Sequence, residues 1–194
     1  MSMWGTASVA ENIAAMVDAA ADAQRVPRNV LRAIVLEESG GNASVVVAEA
    51  IGGESVGLLQ LYSGGQGAGM SIAERQDPAR NLAVGTPKIA AAWAATAHLV
   101  GANRVRRTCA LSGHPGDPEA MSPGATRVFA EQAIERIVAR WQSLEAQTPD
   151  AAGASLAGVP ADRIEDVTHR VIAWAKAHPV ESLAAAAVLG VLAL

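Results

Sequence analysis

The sequence predicts an all-α domain whose core is built from alanine-rich helices. Hydrophobic residues make up 51% of the 194 residues, whereas aromatic residues make up only 3%. Alanine supplies much of the apolar content and has the highest helix propensity, and several segments repeat apolar residues at a helical period. We therefore expect thin, closely packed helices in one domain, with an appendage after it.

The periodic segments place the helices in order along this domain. Pro27 opens the second helix, where its missing N–H costs nothing, and Gly40 and Gly41 end it. The segment 40–55 is either a loop or a short β excursion, and glycine- or proline-rich loops are expected at 63–69 and 112–124. Helices are predicted at 8–24, 27–38, 80–100 and 125–144.

A change in composition near residue 147 indicates the end of the domain. We assign residues 1–146 to the helical domain and 147–161, which are rich in small residues and proline, to a linker. Residues 162–194 form an amphipathic helix and an apolar tail, for docking to a membrane or a partner protein. The uncharged part of that tail is shorter than the roughly 20 residues that a bilayer span needs. The alternative is a helix buried against the domain.

Charge and cysteine content exclude several classes of function. The net charge is −4 and the basic residues form no common face, so a nucleic-acid partner is not expected. One cysteine and four histidines provide few ligands for a zinc site, and no metal or cofactor is predicted. Cys109 is interpreted as a small buried hydrophobic residue rather than a nucleophile.

Glu38 stands out because it continues the apolar stripe of the second helix. That stripe contains Val30, Leu31, Ile34 and Val35, and Glu38 follows Ile34 by four residues. A buried carboxyl group near a helix C-terminus favours its neutral form, which can donate a proton to a glycosidic oxygen. The alternative is that the helix ends one turn earlier and Glu38 faces solvent.

Three motifs in order then suggest a family. They are Glu-Ser-Gly at 38–40, Gly-Leu-Leu-Gln-Leu at 57–61, and Asp-Pro-Ala-Arg-Asn-Leu at 77–82. Together they resemble the soluble lytic transglycosylase (goose-type lysozyme-like) family. The resemblance implies a lysozyme-like fold and cleavage of the β-1,4 bond between N-acetylmuramic acid and N-acetylglucosamine in peptidoglycan. Glu38 would be the single catalytic acid and base, and the product a 1,6-anhydro sugar.

The same resemblance implies roles for further residues. Gln60 would line the glycan cleft, and Ser39 would help to hold the catalytic carboxyl group. Asn81 would either brace the helix behind the cleft or contact substrate. Tyr62 follows the second motif, where it would stack on a sugar or pack internally.

The sequence also departs from the family pattern. A later Tyr-Asn motif, whose tyrosine orients the catalytic Glu, is absent, and His114 stands near the place of its Asn. His114 would either replace part of that role or only cap a loop, and we favour the loop interpretation. If the enzyme is instead a hydrolytic muramidase, Glu54 is the best candidate for a second carboxylate.

The expected place of action is the cell envelope or periplasm. The N-terminal segment lacks the basic region of a secretory signal, so we expect delivery in a phage particle or anchoring through the C-terminal tail. A non-catalytic structural or wall-binding component of a virion on a lysozyme fold is the remaining alternative.

Overall fold

The computed structural model describes residues 1–149, which contain six helices and five short strands. The helices are α1 (Glu11–Gln24), α2 (Arg28–Ser39), α3 (Ile72–Gln76), α4 (Pro78–Ala95), α5 (Gly101–Ser112) and α6 (Ala125–Gln147). The strands are β1 (Ser2–Trp4), β2 (Ala7–Val9), β3 (Val46–Ala48), β4 (Glu54–Val56) and β5 (Leu61–Tyr62).

The five longer helices contact one another in a closed cycle. α1 packs against α2, α2 against α6, α6 against α5, α5 against α4, and α4 returns to α1. α2 is the most deeply buried of them, since seven of its residues are buried, including Leu31 and Ile34 without any exposed surface. Packing on several sides at once is what fixes the direction of α2 and the position of its last turn.

A small antiparallel sheet projects beside the end of α2. Its order is β3–β4–β5, with Val47 opposite Ser55 and Ser55 opposite Tyr62. Strands β1 and β2 form a separate hairpin, in which Met3 pairs with Ser8. β3 is exposed along its length, so the sheet has a solvent-facing edge.

Asn81 anchors the loop that joins β4 to β5. Its side chain has no exposed surface, and its Oδ1 accepts a hydrogen bond from Leu59 N at 2.9 Å. Its Nδ2 donates to Val56 O at 2.9 Å and to Arg75 O at 2.8 Å. Gly57 has φ +84°, and a Cβ there would lie 2.3 Å from both Arg75 O and Asn81 Nδ2. The close approach therefore requires glycine at this position.

The predicted all-α class describes the framework but omits the strands. The β excursion considered for 40–55 is present as β3 and the start of β4, whereas the segment 7–9 pairs in β2 and delays the first helix to Glu11. The predicted helix 80–100 begins at Pro78, because Asp77 caps it by accepting a hydrogen bond from Arg80 N at 2.8 Å, and it ends at Ala95.

Three further differences concern element boundaries. α5 was not predicted from the sequence, in which three arginines interrupt the apolar positions. α6 continues to Gln147, one residue past the predicted domain boundary at 146. The proposed C-terminal helices at 162–194 lie outside the described residues, as does nearly all of the 147–161 linker. Within residues 1–149, no helix combines the length and the apolar character needed to cross a bilayer.

We predict that Asn81→Ala lowers the free energy of unfolding by about 3 kcal/mol, because three buried backbone groups lose their partner. Urea denaturation of the two proteins measures the difference. Asn12→Ala, at an exposed position of α1, is the control and should change stability by less than about 0.5 kcal/mol. A loss below about 1 kcal/mol for Asn81→Ala would contradict the anchoring role.

We also predict that Cys109 resists alkylation in the native protein. Burial, and secondarily the negative charge of Glu38, raise the pKa of this thiol from 9.0 to about 12. At pH 8 only roughly one thiol in ten thousand is then the reactive thiolate. Iodoacetamide labelling followed by mass spectrometry should show slow native and fast urea-denatured reaction, and equal rates would disprove the burial of the thiol.

Candidate active site

A groove of about 550 Å³ runs past the C-terminal end of α2. The β3–β4 hairpin and Tyr62 form one wall, and the loop after α5 together with α6 forms the other. Glu37 and Glu38 reach it from α2. A larger cavity of about 870 Å³ lies between α5 and α6, but its lining contains none of the predicted site residues.

Glu38 lies on the last turn of α2, as its position in the apolar stripe predicts. Its side chain is 15% exposed, and its Oε1 atom is buried without a hydrogen-bond partner. The preceding residue, Glu37, is different, because Arg136 Nε and Arg140 Nε contact its two oxygens at 2.7 Å and 3.1 Å. Of the two adjacent carboxyl groups that line the groove, only Glu38 is thus without an arginine partner.

Neither Ser39 nor Gln60 contacts Glu38, since Ser39 bonds α2 to the β4–β5 loop and Gln60 bonds within that loop. The Ser39 hydroxyl lies 3.1 Å from Val35 O and 3.0 Å from Leu58 O, so its single proton is shared between two backbone acceptors. Ser39 does not line the groove, and its expected contact with the Glu38 carboxyl group is not formed. Gln60 does line the groove, and its Nε2 donates to Gly57 O at 2.8 Å.

Tyr62 lines the groove with part of its ring. Its hydroxyl donates to Gly52 O at 2.9 Å, which ties the hairpin to β5. A Cβ at Gly64 would lie 2.6 Å from the ring, so this loop needs glycine to pass the tyrosine. The ring therefore packs internally on one side while another part remains open to the groove.

Besides Ser39, two more of the predicted site residues lie away from the groove. Asn81 is completely buried and both its polar atoms are bound to backbone groups, so direct substrate contact is corrected to an internal bracing role. Glu54 forms a salt bridge with the buried guanidinium of Arg75. Because Glu54 does not line the groove and is already paired, it is not placed to act as the second carboxylate.

His114 is brought directly to Glu38. Its side chain is 7% exposed, and its Nδ1 lies 3.5 Å from Glu38 Oε1. Only the backbone of His114 closes the end of α5, by donating to Cys109 O at 3.1 Å, while Gly113 adopts the left-handed conformation. The loop-capping interpretation is therefore wrong for the imidazole, which faces the carboxyl group.

Three further side chains of the groove were not among the predicted site residues. Glu49 lies on the turn after β3, where Ser55 Oγ donates to its carboxylate. Lys88 from α4 and Phe129 from α6, which is 60% exposed, reach the same groove. A lone exposed phenylalanine in an aromatic-poor chain was the available signal, but no local pattern links α6 to α2. In residues 1–149, no group of three His, Cys, Asp or Glu side chains is arranged to hold a metal ion.

Comparison with known proteins gives one family. The sequence model described as the transglycosylase SLT domain matches residues 15–111, which is half of the chain and extends from within α1 to the last turn of α5, with the intervening sheet. No curated protein and no solved structure matches significantly. The SLT domain is lysozyme-like, and at the level of the family it acts on peptidoglycan as a lytic transglycosylase-type enzyme. The chain therefore belongs to the transglycosylase SLT domain family.

Proposed function

We propose that this protein is a peptidoglycan lytic transglycosylase that cleaves the β-1,4 bond between N-acetylmuramic acid and N-acetylglucosamine. The observation that carries the proposal is the Glu38 carboxyl group, which is largely buried, lacks an arginine partner and opens into the groove. Glu38 also lies within the residues that the family model matches, which supports its proposed role as the catalytic group. The substrate is the glycan strand, and Gln60 and Tyr62 are the proposed sugar-contacting residues.

In this mechanism Glu38 acts twice. It first gives its proton to the glycosidic oxygen, which leaves with the electron pair of the broken C–O bond. The carboxylate then removes the proton from the C6 hydroxyl of the muramic residue, whose oxygen attacks the anomeric carbon and closes a 1,6-anhydro ring. Because the nucleophile belongs to the substrate, the second carboxylate of ordinary glycosidases is not required.

We predict that Glu38→Gln abolishes release of muropeptides from sacculi, because the amide can neither donate nor accept the required proton. A fall of at least about 1,000-fold is expected for loss of the central acid–base group. Mass spectrometry of wild-type products should detect anhydro-muropeptides. Glu11→Gln, an exposed change on α1, is the control and should retain wild-type activity.

The outcomes of that experiment separate the alternatives. Substantial activity in Glu38→Gln would reject Glu38 as the acid. No release by either protein, under conditions where a known lysozyme works, would favour the non-catalytic wall-binding component.

A hydrolytic muramidase is the second candidate, and the position of Glu49 is the observation that favours it. This carboxylate lines the same groove as Glu38, on the hairpin wall, and receives a hydrogen bond from Ser55. It forms no salt bridge among the ion pairs of residues 1–149. A carboxylate in this position is available to activate water, a role for which Glu54 is not placed.

We predict that Glu49→Gln still forms anhydro-muropeptides at a rate within about threefold of wild type if substrate supplies the nucleophile. The product mass measures the distinction, since an anhydro product is lighter than the hydrolysed one by a water molecule. Glu54→Gln is unsuitable as a neutral control because it breaks the bond with buried Arg75. Reducing-end products that disappear in Glu49→Gln would identify a muramidase.

The proposed place of action follows from the substrate. Peptidoglycan lies in the cell envelope, and we propose that the protein reaches it in association with a phage particle or a membrane. Residues 162–194 are the proposed docking segment for that association.

A further inference from the structure

Two buried polar side chains, those of Glu38 and His114, lie next to each other in the groove, and the proposed reaction assigns no role to His114. Glu38 Oε1 has no hydrogen-bond partner, and His114 Nδ1 lies 3.5 Å from it. A hydrogen bond between nitrogen and oxygen forms at about 2.9 Å. A small rotation of either side chain therefore completes the bond and satisfies a buried oxygen.

The backbone of His114 is held firmly enough to aim its ring. Gly113, at φ +74°, ends α5, and the N–H groups of Gly113 and His114 donate to Ala110 O and Cys109 O, both at 3.1 Å. These two bonds close the end of the helix. Because the ring is 93% buried beside the carboxyl group, its position is fixed by packing rather than by solvent.

We propose that His114 is a positioning residue that donates Nδ1–H to Glu38 Oε1 and leaves Oε2 to carry the catalytic proton. This inference rests on the proposed function of Glu38. A carboxyl group with two equivalent oxygens can point its proton in several directions, and a donor at one oxygen selects the other for the substrate. His114 acts through Glu38 and does not itself exchange a proton with the glycan.

The burial of the second ring nitrogen supports the tautomer that carries its proton on Nδ1. His114 Nε2 is buried without a hydrogen-bond partner. A proton there would leave a buried donor unpaired, whereas an unprotonated Nε2 leaves only a lone pair. The tautomer that satisfies Glu38 is thus also the one that avoids an unpaired buried N–H.

The neighbouring charged and titratable groups do not compete for the same oxygen. Glu37 is bound to two arginines, and the thiol of Cys109, whose pKa burial raises to about 12, forms no hydrogen bond with Glu38 Oε1. The Lys88 ammonium lies beside Gly113, where a Cβ would be 3.0 Å from Nζ, and its side chain is exposed. Within residues 1–149, His114 is the basic residue that has a side-chain nitrogen within 4 Å of a Glu38 carboxyl oxygen.

Steady-state kinetics on soluble glycan strands test the proposal with three variants. His114→Leu removes the donor but keeps an apolar side chain, and its kcat should fall about 100-fold while KM changes less than about threefold. His114→Asn places an amide N–H near the position of Nδ1 and should stay within about tenfold of wild type. His114→Gln, which extends toward the Nε2 position, should resemble His114→Leu.

Different patterns would overturn the proposal. Wild-type kcat in a folded His114→Leu protein would show that Glu38 needs no donor. Equal losses in all three variants, with matching losses of melting temperature, would assign His114 to packing alone. Activity in Glu38→Gln would reject the proposed function, whereas an inactive Glu38→Gln with a fully active His114→Leu would reject only the positioning role.

The tautomer can be measured without any activity assay. The ¹⁵N chemical shifts of labelled wild-type protein should show His114 protonated on Nδ1, and the Nδ1 signal should move in Glu38→Gln. Protonation on Nε2 instead would overturn the proposal, even if the His114 variants fail to fold.

Discussion

The rest of the structure depends on holding one carboxyl group, that of Glu38, in a largely buried position at the edge of an open groove. α2 meets this requirement because neighbouring helices bury nearly its whole length and only its last turn meets the groove. Burying a polar group without a partner is costly, so the packing of Leu31, Ile34 and their neighbours must be strong enough to hold Glu38 there. The helix core and the site are therefore parts of the same arrangement.

The opposite wall of the groove needs its own support, because short strands are marginal by themselves. Asn81 supplies this support by binding three backbone groups of the loop and of α3 from the start of α4. Arg75 adds a second connection, since its guanidinium binds Glu54 and the carbonyl of Leu61 at 3.1 Å. Both residues act by fixing the wall that carries Gln60, Tyr62 and Glu49.

The sequence predicted the parts of the structure that local patterns determine. The apolar period of α2 and its terminal glycines located Glu38, and Pro78 after Asp77 is typical of the helix start, which was found two residues before the expected one. Strands of two or three residues are too short to show alternation, so β1 and β2 were missed. Arginines obscured α5, although Val105 and Cys109 are spaced one turn apart and both are buried.

Contacts between distant segments explain the errors at the site itself. Glu54 was predicted as the candidate second carboxylate, but its pairing with Arg75 involves a residue 21 positions away, which no local pattern reveals. The burial of Asn81 likewise depends on how α4 packs against the sheet.

Adjacent glutamates on one helix show how tertiary contacts divide two identical groups into two roles. Glu37 and Glu38 differ by one position, about 100° around the helix. That rotation directs Glu37 toward Arg136 and Arg140 on α6, where both its oxygens are engaged and join the two helices. It directs Glu38 toward the groove and His114. Since the arginines lie about a hundred residues further along the chain, only the packing of α6 on α2 leaves one carboxyl group structural and the other open to chemistry.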